Sequence, residues 1–242
     1  MESRACSMPS PTIMTDFIFP SERSGATLIE SDQGVIEVYF DAPACPPDGV
    51  ACIAHPQPLM GGNATHKIPV LLANACRDAG WYVLRPNFRG VGRSTGVHDD
   101  GRGEATDMLR VIEVFRRQFD SLPLALLGFS FGAFVQSQVA MRLMADARPA
   151  TRVVLAGMPA GAVEGGRTYD TGDVPRGTLV IHGELDLQVP LANVFDWAGR
   201  HAHPVVVVPG ADHFFRGRLP MLRDVVLKHL GLDGVSFRGM PS

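Results

Sequence analysis

Residues 128–132 read Gly128-Phe129-Ser130-Phe131-Gly132, directly after an apolar run and directly before a helical stretch that starts near Ala133. This order predicts a sharp turn from a strand into a helix. Glycine is needed at both ends because a side chain there would collide with the neighbouring strand or helix, and the turn strains the backbone of its serine. The N-terminus of the helix would favour negative charge developing beside Ser130. The stretch therefore predicts a nucleophilic serine at the tip of a central strand.

Two further apolar runs end in polar residues that suit catalysis. Residues 178–181 read as a buried strand and lead into Asp186, and residues 204–208 read as another and lead into His213. Open α/β sheets build their sites just past the carboxyl ends of their strands. We therefore expect Asp186 and His213 to lie at the same edge of the sheet as Ser130.

These three residue types form a known catalytic arrangement. His213 would take the proton from Ser130, while Asp186 would fix the tautomer of the imidazole and stabilise its charged form. Glu184 is a close rival of Asp186 for the carboxylate role, and Asp212 lies next to the histidine.

The chain order serine, aspartate, histidine and the Gly-x-Ser-x-Gly turn resemble the α/β hydrolase superfamily. More narrowly, the chain resembles the small, lidless bacterial members related to dienelactone hydrolase and short-chain esterases. Further matching segments extend the resemblance over about residues 50–230: 55–62, 85–94 and 101–104. The resemblance implies an α/β-hydrolase fold, a Ser-His-Asp triad and hydrolysis of acyl bonds. The spacing to the Val-Pro pair at 189–190 matches the family at Asp186, which leaves Glu184 as a loop carboxylate. The fold does not fix the substrate.

Strands and helices alternate along the chain. Strands are predicted at 26–31, 35–42, 50–55, 81–86, 124–129, 152–157, 178–182 and 205–208, and helices at 66–79, 103–118, 133–145, 192–200 and 219–230. The first two strands indicate a hairpin. Near-continuous apolar strands separated by helices predict an α/β fold with a mostly parallel central sheet and helices on both faces. Only about 17 residues lie between positions 159 and 177, too few for a cap (lid) domain.

One domain is expected over residues 16–235, with a disordered N-terminal tail at 1–15 and a C-terminal tail at 236–242. The N-terminus lacks the apolar stretch of a secretory signal, so a cytoplasmic location is expected, and Met14 is an alternative start of translation. The formal net charge of -3 over 242 residues comes without a basic run, which argues against a nucleic-acid partner. No segment is long and apolar enough to span a membrane.

Neither a cofactor nor a metal is expected. Residues 90–95 end in threonine where a dinucleotide loop would have glycine, and residues 98–100, His-Asp-Asp, read as a polar loop. The cysteines follow no metal or disulfide spacing: Cys6, Cys45, Cys52 and Cys76. Cys52 falls in a predicted strand and Cys76 in a predicted helix, where reduced core thiols are expected.

Acyl transfer also needs donors for the oxyanion. The backbone N–H of Phe131 is the expected first donor. The second would come from the loop after the strand that ends at His55, where the prolines at 56 and 58 have no N–H. That leaves Gln57, with Leu59 in reserve. An apolar substrate pocket is expected from four side chains: Leu59, Met60, Phe129 and Phe214.

The other polar residues have simpler interpretations. His55 is expected to order its loop by hydrogen bonding, and His182 to be structural at a strand end. His201 and His203 read as surface residues, and Arg89 as a partner in structural ion pairs.

The sequence thus predicts a serine hydrolase acting on the ester or thioester bond of a small to medium acyl substrate, with no cofactor. Acyl thioesterase, amide hydrolase and dienelactone-type activities are the alternatives within the enzyme class, although serine rather than cysteine at position 130 weighs against dienelactone hydrolase proper. The alternative outside that class is a binding scaffold with a vestigial triad. Both a monomer and a homodimer remain open.

Overall fold

The structure of the protein is a computed structural model that describes residues 18–20 and 23–233. These residues form ten strands. They are β1 (Gly25–Ser31), β2 (Gly34–Asp41), β3 (Gly49–Ala54), β4 (Trp81–Pro86), β5 (Leu124–Phe129), β6 (Arg152–Ala156), β7 (Gly161–Ala162), β8 (Thr168–Tyr169), β9 (Leu179–Gly183) and β10 (Val205–Val208). Eight of them build one sheet in the order β1-β2-β4-β3-β5-β6-β9-β10, and β7 pairs with β8 alone. From β4 to β10 all neighbours in the large sheet are parallel, while β2 runs antiparallel to both β1 and β4.

The described residues also form five α-helices, four between strands and the fifth after β10: α1 (Lys67–Asp78), α2 (Arg102–Phe119), α3 (Phe131–Ala145), α4 (Leu191–His201) and α5 (Leu219–Leu230). Helices α2, α3 and α4 contribute their apolar side chains to the core on one face of the sheet, and α1 and α5 to the core on the other. Successive residues of a strand point to opposite faces. In β3, Cys52 accordingly belongs to the first core, and Ala51 and Ile53 to the second. This two-sided burial explains the uninterrupted apolar runs in the sequence.

The predicted fold class is confirmed, and each predicted strand and helix is present with ends that differ by at most two residues. Two small elements were not predicted: the hairpin of β7 and β8 and a 3₁₀ turn at Pro58–Met60. Both are too short to carry a periodic apolar pattern. The predicted tails at 1–15 and 236–242 and the alternative start at Met14 lie outside the described residues.

Several side-chain predictions can be compared directly with the fold. Arg89 donates two hydrogen bonds to Asp107, at 2.9 and 3.0 Å, which confirms its structural ion pair. Cys52 and Cys76 are free and buried as expected, and burial raises the pKa of each thiol to about 12. No helix within 18–20 and 23–233 has both the length and the apolar character needed to cross a membrane.

The prediction that His203 lies on the surface is wrong. Its imidazole stacks on Trp197 with ring centroids 5.4 Å apart, and its Nε2 lies 2.8 Å from Oδ1 of Asp173. The reason is the end of α4, where Ala202 adopts a left-handed conformation with φ 54°. This turn returns the chain toward the helix and covers the histidine. His201 is half-buried beside the same tryptophan.

His55 orders the loop after β3, as predicted. Its side chain is fully buried, its Nδ1 lies 2.8 Å from Pro56 O, and its Nε2 accepts a hydrogen bond of 3.0 Å from the Phe88 N–H. A ring nitrogen that accepts a hydrogen bond carries no hydrogen itself, so the His55 imidazole is neutral and has its hydrogen on Nδ1. Burial lowers the pKa of His55 from its usual 6.5 to about 3.

This shift predicts a pH-dependent stability. Because the folded-state pKa lies below the unfolded one, the contribution of His55 is complete above about pH 6.5 and is lost as the pH falls toward 3. Between pH 7 and pH 5 the wild type should lose about 2 kcal/mol of unfolding free energy through this residue. In urea unfolding at both pH values, His55→Gln should lose about 2 kcal/mol less unfolding free energy between pH 7 and pH 5 than the wild type. Equal losses in the two proteins would contradict the assignment.

Candidate active site

A single residue turns the chain from β5 into α3. β5 ends at Phe129 and α3 begins at Phe131, and Ser130 between them has φ 55° and ψ −124°. L-amino acids rarely adopt this conformation, which costs about 1–3 kcal/mol and is held only by the surrounding structure. The turn leaves the Ser130 side chain at the carboxyl edge of the sheet, before the first turn of α3.

The glycines on either side of this turn are required by packing. A Cβ on Gly128 would collide with Gly132 O and with the backbone of Ala133, which lies 2.5 Å away at its Cα. A Cβ on Gly132 would collide with the carbonyl oxygens of Ala54 and His55. The strand, the helix and the end of β3 therefore meet with no room for a side chain, as the sequence predicted.

A continuous hydrogen-bonded chain links the three residues that were predicted to form a triad. His213 Nε2 lies 2.9 Å from Ser130 Oγ, and His213 Nδ1 lies 2.7 Å from Asp186 Oδ2. Since a carboxylate only accepts, Nδ1 carries the hydrogen and Nε2 presents a lone pair to the serine hydroxyl. This arrangement can remove the hydroxyl proton while the carboxylate stabilises the imidazolium that forms.

Asp186 is held by donors on both of its oxygens. Oδ1 accepts the backbone N–H groups of Gln188 at 3.0 Å and Val189 at 2.8 Å. Oδ2 faces His213 and also His182, whose Nε2 lies 3.2 Å away. Burial alone would raise the pKa of this carboxyl, but the hydrogen bonds from the two histidines and Val189 outweigh it and lower the pKa well below its usual range. Asp186 is thus a buried, ionised carboxylate.

The rival carboxylates are occupied elsewhere. Glu184 is exposed, and its Oε2 accepts the Gly210 N–H at 2.8 Å. Asp212 pairs with Arg216 at 2.8 Å, on the same turn of chain. Neither forms a hydrogen bond with His213, so Asp186 is the carboxylate that the fold brings to the imidazole.

The backbone N–H groups of Phe131 and Gln57, the predicted donors, have no acceptor within the described residues. The third candidate, the Leu59 N–H, donates to Gln57 Oε1 at 3.3 Å. Gln57 Nε2 donates to Tyr169 Oη at 3.2 Å. The Gln57 side chain therefore ties its own loop to β8 and leaves its backbone N–H unused.

The predicted pocket residues fall into two groups. Leu59 and Met60 are exposed by 70% and 63%, and Phe214 is half-buried with its ring edge-on to His213 at 5.2 Å. Phe129 differs from the prediction because it has no exposed surface. Its ring packs 5.2 Å from the His213 ring, so it supports the imidazole from within the core and does not line a pocket.

Two residues that sequence reasoning missed lie beside these groups. Tyr169 contacts Gln57 and packs its ring 6.4 Å from that of Phe131. It is the single aromatic residue in the glycine-rich segment 160–176, which is the signal that could have drawn attention to it. His66 caps the start of α1 and packs 6.0 Å from Phe214; burial, reinforced by His213, lowers its pKa.

The predicted polar loop at 98–100 is part of this edge of the sheet. His98 Nδ1 lies 2.9 Å from Oε1 of the buried Glu104, and its ring lies 5.1 Å from that of Phe131. Among the residues that the structure describes, no three histidine, cysteine, aspartate or glutamate side chains are grouped as a metal ion would require.

Comparison with known proteins places this geometry in a family. A family model described as alpha/beta hydrolase fold matches residues 59–168. The chain is 33% identical over 195 residues to the uncharacterized protein RP471 of Rickettsia prowazekii, an alignment that covers 76% of this chain and 79% of that protein.

Solved structures extend the similarity over nearly the whole chain. XC6422 from Xanthomonas campestris, described as an a/b serine hydrolase without lid, is 31% identical to this chain with a TM-score of 0.77. The match covers 93% of this chain and 99% of XC6422. An alpha-beta serine hydrolase homologue from Coxiella burnetii is 30% identical with a TM-score of 0.75, covering 88% of this chain and 99% of its own.

The strained turn yields a prediction about stability. Ser130→Gly should relieve the positive φ, whereas Ser130→Ala keeps the Cβ and therefore the strain. In urea unfolding, the glycine variant should be more stable than the alanine variant by about 1 kcal/mol, after the higher chain entropy of glycine is subtracted. Because both variants lack the hydroxyl, the difference isolates the backbone. A glycine variant no more stable than the alanine variant would show that the turn stores no strain.

Proposed function

Since the chain belongs to the α/β hydrolase family, whose lidless serine hydrolases it resembles over nearly its whole length, we propose that it cleaves the carboxylic ester or thioester bond of small to medium acyl substrates. The observation that carries this proposal is the hydrogen-bonded chain from Asp186 through His213 to Ser130, at 2.7 and 2.9 Å. The proposed catalytic residues are these three.

Acylation begins at the serine. Ser130 Oγ attacks the acyl carbon as its proton passes to His213 Nε2, and Asp186 stabilises the resulting imidazolium. The negative charge that develops on the acyl oxygen would be stabilised by the backbone N–H groups of Phe131 and Gln57. Neither of these N–H groups has an acceptor in the described structure.

The acyl-enzyme then forms and is hydrolysed. His213 gives its proton to the leaving alcohol or thiol, which departs, and the same imidazole next takes a proton from a water molecule that attacks the acyl carbon. Release of Ser130 Oγ with the proton from His213 restores the resting state. Every proton in this cycle moves through one nitrogen, Nε2.

Exposed apolar side chains at the site favour a substrate whose acyl group is apolar. Leu59 and Met60 lie two and three residues after the proposed oxyanion donor Gln57 and expose most of their surface. Burying such side chains against an alkyl or aromatic acyl group is favourable by about 25 cal/mol per Å². Without a lid domain, the substrate would bind at an open edge of the sheet.

Covalent labelling tests the nucleophile. Incubation with a fluorophosphonate should add one adduct mass to the wild type and none to Ser130→Ala, because only an activated hydroxyl attacks phosphorus. Ester turnover by Ser130→Ala should fall by roughly 10⁵-fold or more. Intact-protein mass and a circular dichroism melt, as a check of folding, suffice for the comparison. A folded wild type that takes no adduct would contradict the proposal and favour a binding scaffold with an inactive triad.

A matched pair of variants tests the carboxylate. Asp186→Asn should lower kcat by roughly 10³–10⁴-fold, less than the loss of Ser130 or His213, because the imidazole loses its charged partner and its fixed tautomer. Glu184→Gln, two residues away on the exposed side of the loop, should remain close to the wild type. Steady-state kinetics on one ester decides between them, and a larger loss in the glutamine variant would move the role to Glu184.

A further inference from the structure

His182 was interpreted from the sequence as a structural residue at a strand end, but its contacts reach the proposed catalytic carboxylate. It lies in β9, four residues before Asp186, and has no exposed surface. Its Nε2 lies 2.9 Å from Val189 O and 3.2 Å from Asp186 Oδ2. The imidazole therefore contacts the loop after β9 at two points, the Asp186 carboxylate and the Val189 carbonyl.

The hydrogen on this ring can be assigned from its partners. Val189 O is a carbonyl and only accepts, so His182 Nε2 must carry a hydrogen. That hydrogen is donated to the carbonyl, and the same nitrogen lies 3.2 Å from the charged Asp186 Oδ2. The other nitrogen, Nδ1, is buried and has no partner within the described residues. All of the polar contacts of His182 are thus directed at the Asp186 loop.

These contacts complete the set of donors around the carboxylate. Oδ1 accepts from the Gln188 and Val189 N–H groups, and Oδ2 accepts from His213 Nδ1. His182 Nε2 is the fourth nitrogen within 3.2 Å of the carboxylate and the second beside Oδ2. An ionised carboxylate offers about four acceptor positions, so four nitrogens surround it on both oxygens in this buried place. Without His182, Oδ2 would keep His213 alone.

We propose that His182 is a positioning residue for the Ser130–His213–Asp186 triad, which holds the Asp186 carboxylate in the orientation that receives His213. This inference rests on the proposed function, since it gives His182 no role without the triad. His182 does not touch the serine or the substrate, and acts through the carboxylate alone. Hydrogen bonds to a charged group are stronger than neutral ones, so losing this one should be measurable in the rate.

The neighbouring structure makes the position sensitive to small displacements. Gly183, directly after His182, packs so closely on the loop after β10 that a Cβ there would lie 2.6 Å from Ala211 O. The Leu185 N–H donates to the same carbonyl at 2.8 Å. This loop carries His213, so a rotation of the Asp186 carboxylate cannot be followed by a matching shift of the histidine.

Two polar replacements separate positioning from packing. His182→Gln places an amide nitrogen at the position of Nε2, whereas His182→Asn places it near Nδ1, away from Asp186. Both keep a polar side chain of similar size in the buried site. With 4-nitrophenyl acetate as the substrate, His182→Asn should lower kcat about 10-fold with little change in KM, and His182→Gln should recover most of that loss.

The pH profile provides a readout that packing alone would not move. With Asp186 less well placed, the imidazolium of His213 is less stabilised, so the acid limb of kcat/KM should move to lower pH in His182→Asn and return in His182→Gln. The other titratable group packed near this imidazole is His66, which is unchanged in both variants. Equal losses in the two variants with an unmoved limb, or wild-type kinetics in His182→Asn, would overturn the proposal.

A measurement on the wild type guards against variants that do not fold. In ¹⁵N-histidine NMR of the intact protein, His182 should show the Nε2–H tautomer throughout the pH range of activity, and an Nδ1–H tautomer would overturn the proposal. Fluorophosphonate labelling of the wild type keeps the two hypotheses apart. If the wild type takes no adduct at Ser130, the proposed function fails; if it does and His182→Asn behaves as the wild type, only the role of His182 fails.

Discussion

The chain passes from β5 to α3 through one residue, and the strain at that residue is sustained by the close packing of backbone on both sides of it. Ser130 holds φ 55° and ψ −124°, a conformation that persists only when neighbours leave no alternative. Gly128 and Gly132 provide that condition because strand, helix and the end of β3 meet where no Cβ fits. The same packing fixes Ser130 Oγ, and the Phe131 N–H has no intrahelical acceptor because it begins α3. The proposed nucleophile and the proposed oxyanion donor thus belong to one turn.

A buried charge is the second demand on the fold. Asp186 is ionised in a place that penalises charge, and hydrogen-bond donors around both of its oxygens compensate. Two imidazoles from outside the loop face one oxygen and compensate most, and two backbone N–H groups of the loop bind the other. The parallel order of β9 and β10 puts the loops of Asp186 and His213 side by side. A carboxylate so placed can be ionised and still close to the histidine that it serves.

The sequence predicted the fold through patterns that the sheet enforces. Strands buried on both faces must be apolar throughout, so runs such as 124–129 were recognised with their ends. The turn at Ser130 was recognisable because only glycine fits beside it. The burial of residues whose surroundings depend on the path of a loop could not be predicted from the sequence. His203 is buried because Ala202 turns the chain left-handed, and Phe129 is sealed behind His213 although it neighbours the serine.

The segment between β6 and β9 forms a hairpin of two short strands and no lid domain. Two strands of two residues cannot enclose a substrate, but they bring Tyr169 to the Gln57 side chain and to the ring of Phe131. These are the loops of the two proposed oxyanion donors. Prolines stiffen the loop that contains Gln57. The side-chain amide of Gln57 accepts a hydrogen bond from the Leu59 N–H and donates one to Tyr169 Oη. The backbone N–H of Gln57 has no acceptor within the described residues. In an open site, where no lid excludes water, preorganised donors of this kind must supply the electrostatic stabilisation of the transition state without help from closure.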